Sequence, residues 1–376
     1  MSFCRGLAWL CSVLLWGCTP HGSRPPVATA TPRGEQPKAP LVLARPAKPP
    51  ELVGRRDLSK MDSVRLEALM QEWYQRGEFA HAAVAGQWSV ARGGDGRYDL
   101  ACCLALSGER EGAFFYLQEA AIVEGVDARH AQSDPDLQML RQDPRWARVA
   151  SFLNEMGRYW EAHPVLKTTL ILPRNYKPDR PIGVVIGLHG LGGNHNFVSA
   201  DYQPLSDQLG IAFLGVSGTN ALGPKAFRWS EEVARDQGQV SKALDSRKKE
   251  LRVDGSRKIL FGFSQGAKMA FELAATYPGH YRGAICFSPG GLTEDAARPN
   301  THSLASQRYL FAVGDGENES TLKYARQGAA WCQQLGAGVN LRIYPGVSTH
   351  GFPSDFWEAF PNWLRWVDQR RADKVR

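Results

Sequence analysis

The stretch Gly262-Phe263-Ser264-Gln265-Gly266 decides the fold of this chain. It follows the apolar run 258–261 and precedes the amphipathic run 267–275, so the sequence predicts a strand, a tight turn and a helix. A serine at the apex of such a turn adopts a strained backbone conformation, and strand and helix approach so closely that only glycine fits two residues to either side. The turn therefore presents Ser264 as a nucleophile.

Strand and helix patterns alternate from about residue 164 to residue 376. Apolar, β-rich runs predict strands at 168–172, 183–188, 211–216, 258–261, 283–287, 309–313 and 339–344. Amphipathic runs separate most of them, which predicts an α/β fold with a mostly parallel sheet covered by helices on both faces. A functional site should then lie at the carboxyl ends of the strands, and Ser264 follows one of those ends.

A serine nucleophile also needs backbone N–H groups that stabilise the oxyanion formed on its substrate. The first candidate donor is Gln265, at the start of a predicted helix whose dipole favours negative charge. The second is expected in the loop after the strand at 183–188, where Leu191 and Gly192 are the candidates. His189 in the same loop is expected to brace it rather than to act as the base.

The segment 222–229 follows a strand end and allows two interpretations. It can line the substrate pocket with an aromatic side chain and a cation, or it can pack as a plain loop on the next helix. Trp229 is therefore a candidate substrate-binding residue. Between the strands at 283–287 and 309–313 the chain is too short for a lid, which predicts an open site.

Three motifs together resemble the α/β-hydrolases of the phospholipase/carboxylesterase and acyl-protein thioesterase type. They are Leu-His-Gly-Leu-Gly at 188–192, the pentapeptide around Ser264 and Thr-His-Gly at 349–351. The resemblance covers about 164–370 and extends to polyester depolymerases, feruloyl esterases and serine peptidases of the same fold. It implies a Ser-His-acid triad that cleaves a carboxylic ester or thioester through an acyl-enzyme, without a metal or an organic cofactor.

The resemblance also implies that the base follows both the nucleophile and the acid in the chain. His280 lies before the very next strand and His302 before the strand that should deliver the acid, so His350 is the expected base.

The expected acid follows the strand at 309–313. The usual Asp-x-Asp-Pro of these hydrolases is here Asp315-Gly316-Glu317-Asn318, and Glu319 follows. Glu317 is favoured because it lies three positions after Gly314, where many hydrolases of this fold place the acid. Asp315 remains open as the alternative, with Glu319 and Asp295 next in line.

The region from about 57 to 163 has a helical pattern throughout. Gly77 and Gly108 lie 31 residues apart, each between two amphipathic runs, which is close to the ~34-residue period of helix-turn-helix repeats. The unit around 98–121 resembles a tetratricopeptide repeat. The sequence thus predicts a small all-α repeat domain, which either binds a peptide or protein partner or packs as a cap on the catalytic domain.

The N-terminus has the layout of a secretory signal, with Arg5 followed by the apolar run 7–16. Leu14-Leu15-Trp16-Gly17-Cys18 resembles a bacterial lipobox, although Trp16 is bulkier than usual; the alternative is a plain secretory signal. We expect a signal peptide over 1–18, lipidation of Cys18 and an outward-facing, membrane-anchored protein in a bacterial cell envelope. Residues 19–56, rich in Pro and Ala, are predicted to form a disordered tether.

The composition argues against nucleic-acid binding, and the spacing of the cysteines argues against a metal site. A net charge of +7 over 376 residues, without a Lys/Arg-rich run, does not indicate nucleic-acid binding. Cys102, Cys103, Cys286 and Cys332 lack metal-ligand spacing and are expected to be buried. The sequence therefore favours an ester-cleaving serine hydrolase that acts on a small-molecule or acyl-ester substrate. A serine peptidase, and a binding protein that uses its repeats and keeps the hydrolase domain as scaffold, are the alternatives.

Overall fold

The computed structural model describes residues 34–230, 232–290, 303–347 and 350–369. The described residues from Gln36 onward belong to one compact unit. Every helix in these ranges is too short or too polar to cross a lipid bilayer. The predicted signal peptide and Cys18 lie outside the described residues.

The first part of the described chain is helical. Its elements are β1 (Leu52–Val53), β2 (Arg56–Asp57), α1 (Ser63–Gln75), α2 (Phe79–Ala91), α3 (Arg97–Leu106), α4 (Arg110–Val123), α5 (Ala128–Ser133), α6 (Gln138–Arg141) and α7 (Trp146–Ala162). The turns α1–α2 and α3–α4 use Gly77 (φ 72°) and Gly108 (φ 90°), a conformation that glycine adopts at little cost. The two glycines of the predicted repeat therefore occupy equivalent positions.

The helices have a hydrophobic core of their own, centred on fully buried Leu66, Leu100, Phe114, Leu117 and Leu153. A separate helical-repeat domain, as the sequence predicts, is nevertheless not shown, because the helices and the rest of the described chain from Gln36 form one unit.

The predicted disordered tether is wrong from about residue 36 onward. Leu41 is 8% exposed, and its backbone N–H donates to the Oε1 atom of Gln118 at 2.9 Å. Further along, the Trp88 indole N–H donates to the carbonyl of Pro50 at 2.9 Å. The segment has few apolar residues, but buried amide and indole groups of the helices supply hydrogen-bond partners for its extended backbone. Residues 19–33 lie outside the described ranges.

The second part of the described chain alternates strands and helices. Its elements are β3 (Thr168–Ile171), β4 (Ile182–Leu188), α8 (Gln203–Leu209), β5 (Ala212–Val216), β6 (Asn220–Ala221), β7 (Phe227–Arg228), α9 (Val233–Ser246), β8 (Val253–Phe263), α10 (Gln265–Thr276), β9 (Gly283–Phe287), β10 (Arg308–Gly314), α11 (Glu319–Gln334), β11 (Gly338–Tyr344) and α12 (Phe356–Asp368).

Within the described residues, one seven-stranded sheet has the order β11-β10-β9-β8-β4-β5-β3. Every neighbouring pair in it is parallel except β3 and β5. Helices α9, α10 and α11 cover one face and α8 and α12 the other, so the central strands are buried on both sides. The prediction of an α/β-hydrolase fold with a mostly parallel sheet is confirmed.

A close backbone contact joins the helical part to the sheet part. Gly125, which follows α4, packs so tightly on Gly223, which follows β6, that a Cβ atom on either residue would overlap the backbone of the other. The backbone N–H groups of Lys225 and Ala226 both donate to the carbonyl of Glu124 at 2.9 Å. This joint holds α5 over the carboxyl ends of the strands.

Candidate active site

Ser264 lies between the last residue of β8 and the first residue of α10. Its backbone has φ 54° and ψ −123°, a conformation that costs a non-glycine residue on the order of 1–3 kcal/mol. A Cβ atom at Gly262 would clash with the carbonyl of Gly266, and one at Gly266 would clash with the carbonyls of Leu188 and His189. The two glycines are therefore required for the turn that raises Ser264 above the sheet edge.

The side chains of Ser264, His350 and Glu317 form a continuous hydrogen-bonded chain. The Nε2 atom of His350 lies 2.9 Å from the Oγ atom of Ser264, and its Nδ1 atom lies 2.7 Å from the Oε2 atom of Glu317. The imidazole also packs on the ring of Phe263, with centroids 4.9 Å apart. This geometry can move a proton from the hydroxyl to the imidazole while the carboxylate fixes the tautomer.

The Glu317 carboxylate is buried but well supplied with donors. Its Oε1 atom accepts hydrogen bonds from the Ser288 hydroxyl at 2.6 Å and from the Gly314 N–H at 3.2 Å. Burial raises the pKa of Glu317, but the hydrogen bonds from His350, Ser288 and Gly314 together outweigh it and hold the pKa below its usual value. Glu317 is thus negatively charged at neutral pH, as an orienting acid must be.

Ser288 is a site residue that the sequence analysis missed. It follows β9 directly, is 1% exposed and has a positive φ of 45°, which aims its hydroxyl at Glu317. The signal available in the sequence was its position at the carboxyl end of a central parallel strand, where functional side chains collect.

The competing acids lie elsewhere. Asp315 is exposed, and its Oδ1 atom accepts a hydrogen bond from the N–H of Gly346 at 2.8 Å, which ties down the loop that leads to His350. Glu319 is the first residue of α11, where a carboxylate favours the positive end of the helix dipole. Asp295 lies outside the described residues. Of the predicted carboxylates, the structure therefore brings Glu317 to the histidine.

The three candidate oxyanion donors differ in whether their backbone N–H groups are available to a substrate. The N–H of Gln265 lies at the N-terminus of α10, where the first N–H groups have no partner within the helix. The N–H of Gly192 donates to the carbonyl of Phe227 at 3.0 Å, so the prediction of Gly192 as a donor is wrong. Leu191 borders the same cleft as Ser264 and remains the second candidate.

Trp229 does not contact the cleft, which contradicts its prediction as a substrate-binding residue. It is 1% exposed, and its indole N–H donates to the carbonyl of His189 at 2.9 Å. The side-chain amide of Gln265 pairs with both backbone groups of Trp229, at 3.0 and 3.4 Å. Trp229 therefore connects the loop after β4 to the start of α10, which carry the two candidate oxyanion donors.

His189 braces the loop after β4. Its Nε2 atom accepts the N–H of Gly218 at 2.8 Å, so the proton lies on Nδ1, which donates to the carbonyl of Gly190 at 2.6 Å. Burial is the main cause that lowers the pKa of His189 to about 4. A neutral, doubly hydrogen-bonded histidine fits the structural role that the sequence predicts.

A cleft of about 360 Å³ opens above Ser264, His350 and Gln265. Its opposite wall comes from the helical part, through Asp127, Arg129, His130 and Ser133. The sequence predicts an open site, and in the structure this wall bounds one side of it. A larger cavity of about 430 Å³ adjoins the cleft along Leu191 and His130, but neither Ser264 nor His350 lines it.

One group of potential metal ligands occurs among the described residues, formed by Cys102, Asp134 and Asp136. The hydroxyls of Tyr98 and Tyr74 donate to Asp134 and Asp136 at 2.7 and 2.6 Å, and the Cys102 thiol also points to Asp134. These contacts explain the cluster as a hydrogen-bond network. All four cysteines in the described ranges are buried, as predicted, and none of them forms a disulfide.

Comparison with known proteins agrees with the esterase motifs. Residues 221–335, which include Ser264 and Glu317, match the family model described as Phospholipase/Carboxylesterase. The probable feruloyl esterase C of Aspergillus niger is 30% identical over 129 residues, which cover 32% of this chain and 46% of that protein. Feruloyl esterase C of Emericella nidulans is 29% identical over 130 residues, 33% of this chain and 46% of that protein. The match thus spans less than half the length of either relative.

Among solved structures, the carboxylesterase of Bacillus cereus aligns with 56% of this chain and 99% of its own, at 19% identity and a TM-score of 0.42.

We predict that His189 makes the stability of the protein depend on pH. The His189 side chain has a pKa of about 4 in the folded protein and about 6.5 in the unfolded chain, so between these values the unfolded chain binds a proton that the folded protein does not. The free energy of unfolding should therefore fall as the pH drops from about 6.5 towards about 4. The variant His189→Gln has no titrating group at this position, so its free energy of unfolding should lack this dependence on pH. Urea denaturation at a series of pH values should show the stability advantage of the wild type over His189→Gln shrinking by up to about 3 kcal/mol between pH 7 and 4.

His280→Gln, which replaces an exposed histidine in the same way, is the matched control. Parallel pH profiles for the wild type and His189→Gln would contradict the neutral, buried state of this histidine.

Proposed function

We propose that the protein is a serine hydrolase that cleaves carboxylic esters through an acyl-enzyme. The observation that carries this proposal is the chain of hydrogen bonds from Ser264 to His350 at 2.9 Å and from His350 to Glu317 at 2.7 Å. It joins a hydroxyl, an imidazole and an ionised carboxylate in the sequence that nucleophilic acyl transfer needs.

In the proposed mechanism, the Oγ atom of Ser264 attacks the acyl carbonyl and its proton passes to Nε2 of His350. Glu317 accepts the Nδ1–H hydrogen bond and stabilises the imidazolium that forms. The N–H groups of Gln265 and Leu191 hold the developing oxyanion. His350 then protonates the leaving alcohol, and a water molecule activated by the same imidazole releases the acid from Ser264.

An ester is favoured over a peptide bond as the substrate. The matching family description names phospholipases and carboxylesterases, and the relatives with local sequence similarity are feruloyl esterases. Thioesters undergo the same acyl-transfer chemistry and are included in the proposal.

The proposal extends to the helices and to the N-terminus. Helices α1 to α4 are proposed to be tetratricopeptide-like repeats that offer a surface for a peptide or protein partner, which the equivalent turns at Gly77 and Gly108 support. The signal over 1–18 is proposed to lead to lipidation of Cys18, so that the enzyme is anchored to a bacterial envelope membrane and faces outward.

Ser264→Ala tests the nucleophile. We expect kcat for 4-nitrophenyl butyrate to fall by a factor of at least ~10³, and labelling by a fluorophosphonate to disappear, because the attacking oxygen is gone. Circular dichroism and thermal melting should show a folded protein. Ser241→Ala, a serine replaced on α9 away from the cleft, is the control. Retention of more than about a tenth of wild-type activity by Ser264→Ala would refute the assignment.

Glu317→Gln and Asp315→Asn form a matched pair that tests the acid. Glu317→Gln removes the charge that stabilises the His350 imidazolium, so kcat should fall by up to ~10⁴ with little change in KM. Asp315→Asn keeps a carbonyl oxygen for the Gly346 N–H and should cost far less. A severe loss in Asp315→Asn beside near-normal Glu317→Gln would reverse the assignment.

Cys18→Ser tests the anchor. Expressed in a bacterial host, the wild type should partition into the detergent phase and accumulate as a precursor under globomycin, because acylation of Cys18 precedes signal cleavage. Cys18→Ser should leave the detergent phase without loss of specific esterase activity. A wild-type protein that fractionates as soluble, with a mature N-terminus other than Cys18, would contradict lipidation.

A further inference from the structure

Arg228 is an incompletely satisfied cation in the wall of the cleft. Its side chain is 17% exposed, and its nearest carboxylates are Asp127, 3.7 Å from Nη1, and Glu161, 3.9 Å from Nη2. Both distances exceed that of a hydrogen bond. Its Nε atom is buried and has no hydrogen-bond partner among the described residues.

Arg97, which is similarly buried, also has an Nε atom without a hydrogen-bond partner within the described ranges, so the difference between the two arginines lies in their Nη atoms. Arg97, 13% exposed, donates from Nη1 to Glu124 at 2.6 Å. The Oδ1 atom of Asp127 caps α5 by accepting the N–H groups of Arg129 and His130 at 2.8 and 3.2 Å, and in this position its Oδ2 atom stays 3.7 Å from Nη1 of Arg228. A buried guanidinium has five N–H donors and loses stability when they lack acceptors. Arg228 therefore has two carboxylates nearby but lacks an acceptor at hydrogen-bond distance in either ion pair.

The guanidinium of Arg228, with its unmade hydrogen bonds, lies where a substrate bound at Ser264 can contact it. Arg228 lines the same cleft as Ser264, and Asp127 is the carboxylate that the described residues contribute to its lining. On its other side, Arg228 lines a second cavity of about 330 Å³ that also contains Arg158 and Glu161. The guanidinium of Arg228 thus lies in the wall of the cleft that holds Ser264, at the end near α5.

We infer that Arg228 binds a carboxylate carried by the ester substrate at a distance from the scissile bond. A planar carboxylate matches the guanidinium and supplies the acceptors that Asp127 and Glu161 are too far away to give. The inference rests on the proposed ester hydrolysis and adds a substrate class to it: half-esters of dicarboxylic acids, or esters of an alcohol that carries a carboxylate.

Two substrate series distinguish a carboxylate on the acyl side of the ester from a carboxylate on the alcohol side. In the acyl series, monoethyl esters of dicarboxylic acids from succinate to suberate are compared with ethyl esters of monocarboxylic acids of the same chain length. In the alcohol series, 4-carboxyphenyl butyrate is compared with phenyl butyrate. Because one charged hydrogen-bonded pair is worth about a factor of ten or more, wild-type kcat/KM should favour the anionic member at least about tenfold in one series. In the acyl series the preference should peak at one chain length.

Arg228→Gln should reduce that anionic-to-neutral ratio at least about tenfold, mainly through KM, and Arg228→Lys should restore part of it. Arg180→Gln, an exposed arginine outside the cleft, should keep the wild-type ratio. Adipate at millimolar concentration should also slow fluorophosphonate labelling of the wild type, which tests the site without any variant.

Hydrolysis of neutral esters without anionic preference in either series, or a preference that survives in Arg228→Gln, overturns the anion site and leaves the esterase proposal intact. Failure of the wild type to cleave any of these esters counts against the esterase proposal instead. If Arg228→Gln fails to fold, two measurements decide: the anionic-to-neutral ratio of Arg228→Lys compared with that of the wild type, and the protection of the wild type by adipate. A ratio unchanged in Arg228→Lys, together with no protection by adipate, overturns the inference.

Discussion

The close approach of α10 to the end of β4 is the constraint on which the site depends. It is possible because Gly266 has no side chain where it passes the carbonyls of Leu188 and His189. The contact fixes the start of α10 against the loop that carries Leu191, and Trp229 joins the two by hydrogen bonds to His189 and Gln265. One backbone contact thus positions Ser264 and brings both candidate oxyanion donors to the same edge of the sheet.

The charge on the acid Glu317 depends on a balance between burial and hydrogen bonding. Burial raises the pKa of Glu317, and the hydrogen bonds from His350, Ser288 and Gly314 lower it by more, so that the ionised carboxylate is favoured. One of them comes from Ser288, which adopts a strained backbone with φ 45°. Asp315, two residues earlier, contributes in another way, because its bond to Gly346 anchors the chain that leads to His350. Two neighbouring carboxylates therefore have separate structural tasks.

The strands and the turn around Ser264 could be predicted because their patterns are local. The choice between Glu317 and Asp315 could not, since the direction of a side chain in a tight turn depends on the tertiary packing. Gly192 and Trp229 were misassigned for a related reason: their hydrogen bonds go to Phe227 and His189, in other segments. The packing of residue 41 on Gln118 and the wall formed by α5 likewise arise from contacts between distant parts of the chain.

The joint between Gly125 and Gly223 has a consequence for how the two parts of the molecule can diverge. Asp127, the cap of α5, lies two residues beyond Gly125, so the helix over the cleft is mounted directly on this contact. A side chain introduced at either glycine would overlap the backbone of the other, so the contact on which α5 is mounted would have to open. Two glycines that take no part in the chemistry therefore help to position one wall of the cleft, and a change in how the helices pack on the sheet would change the space that a substrate enters.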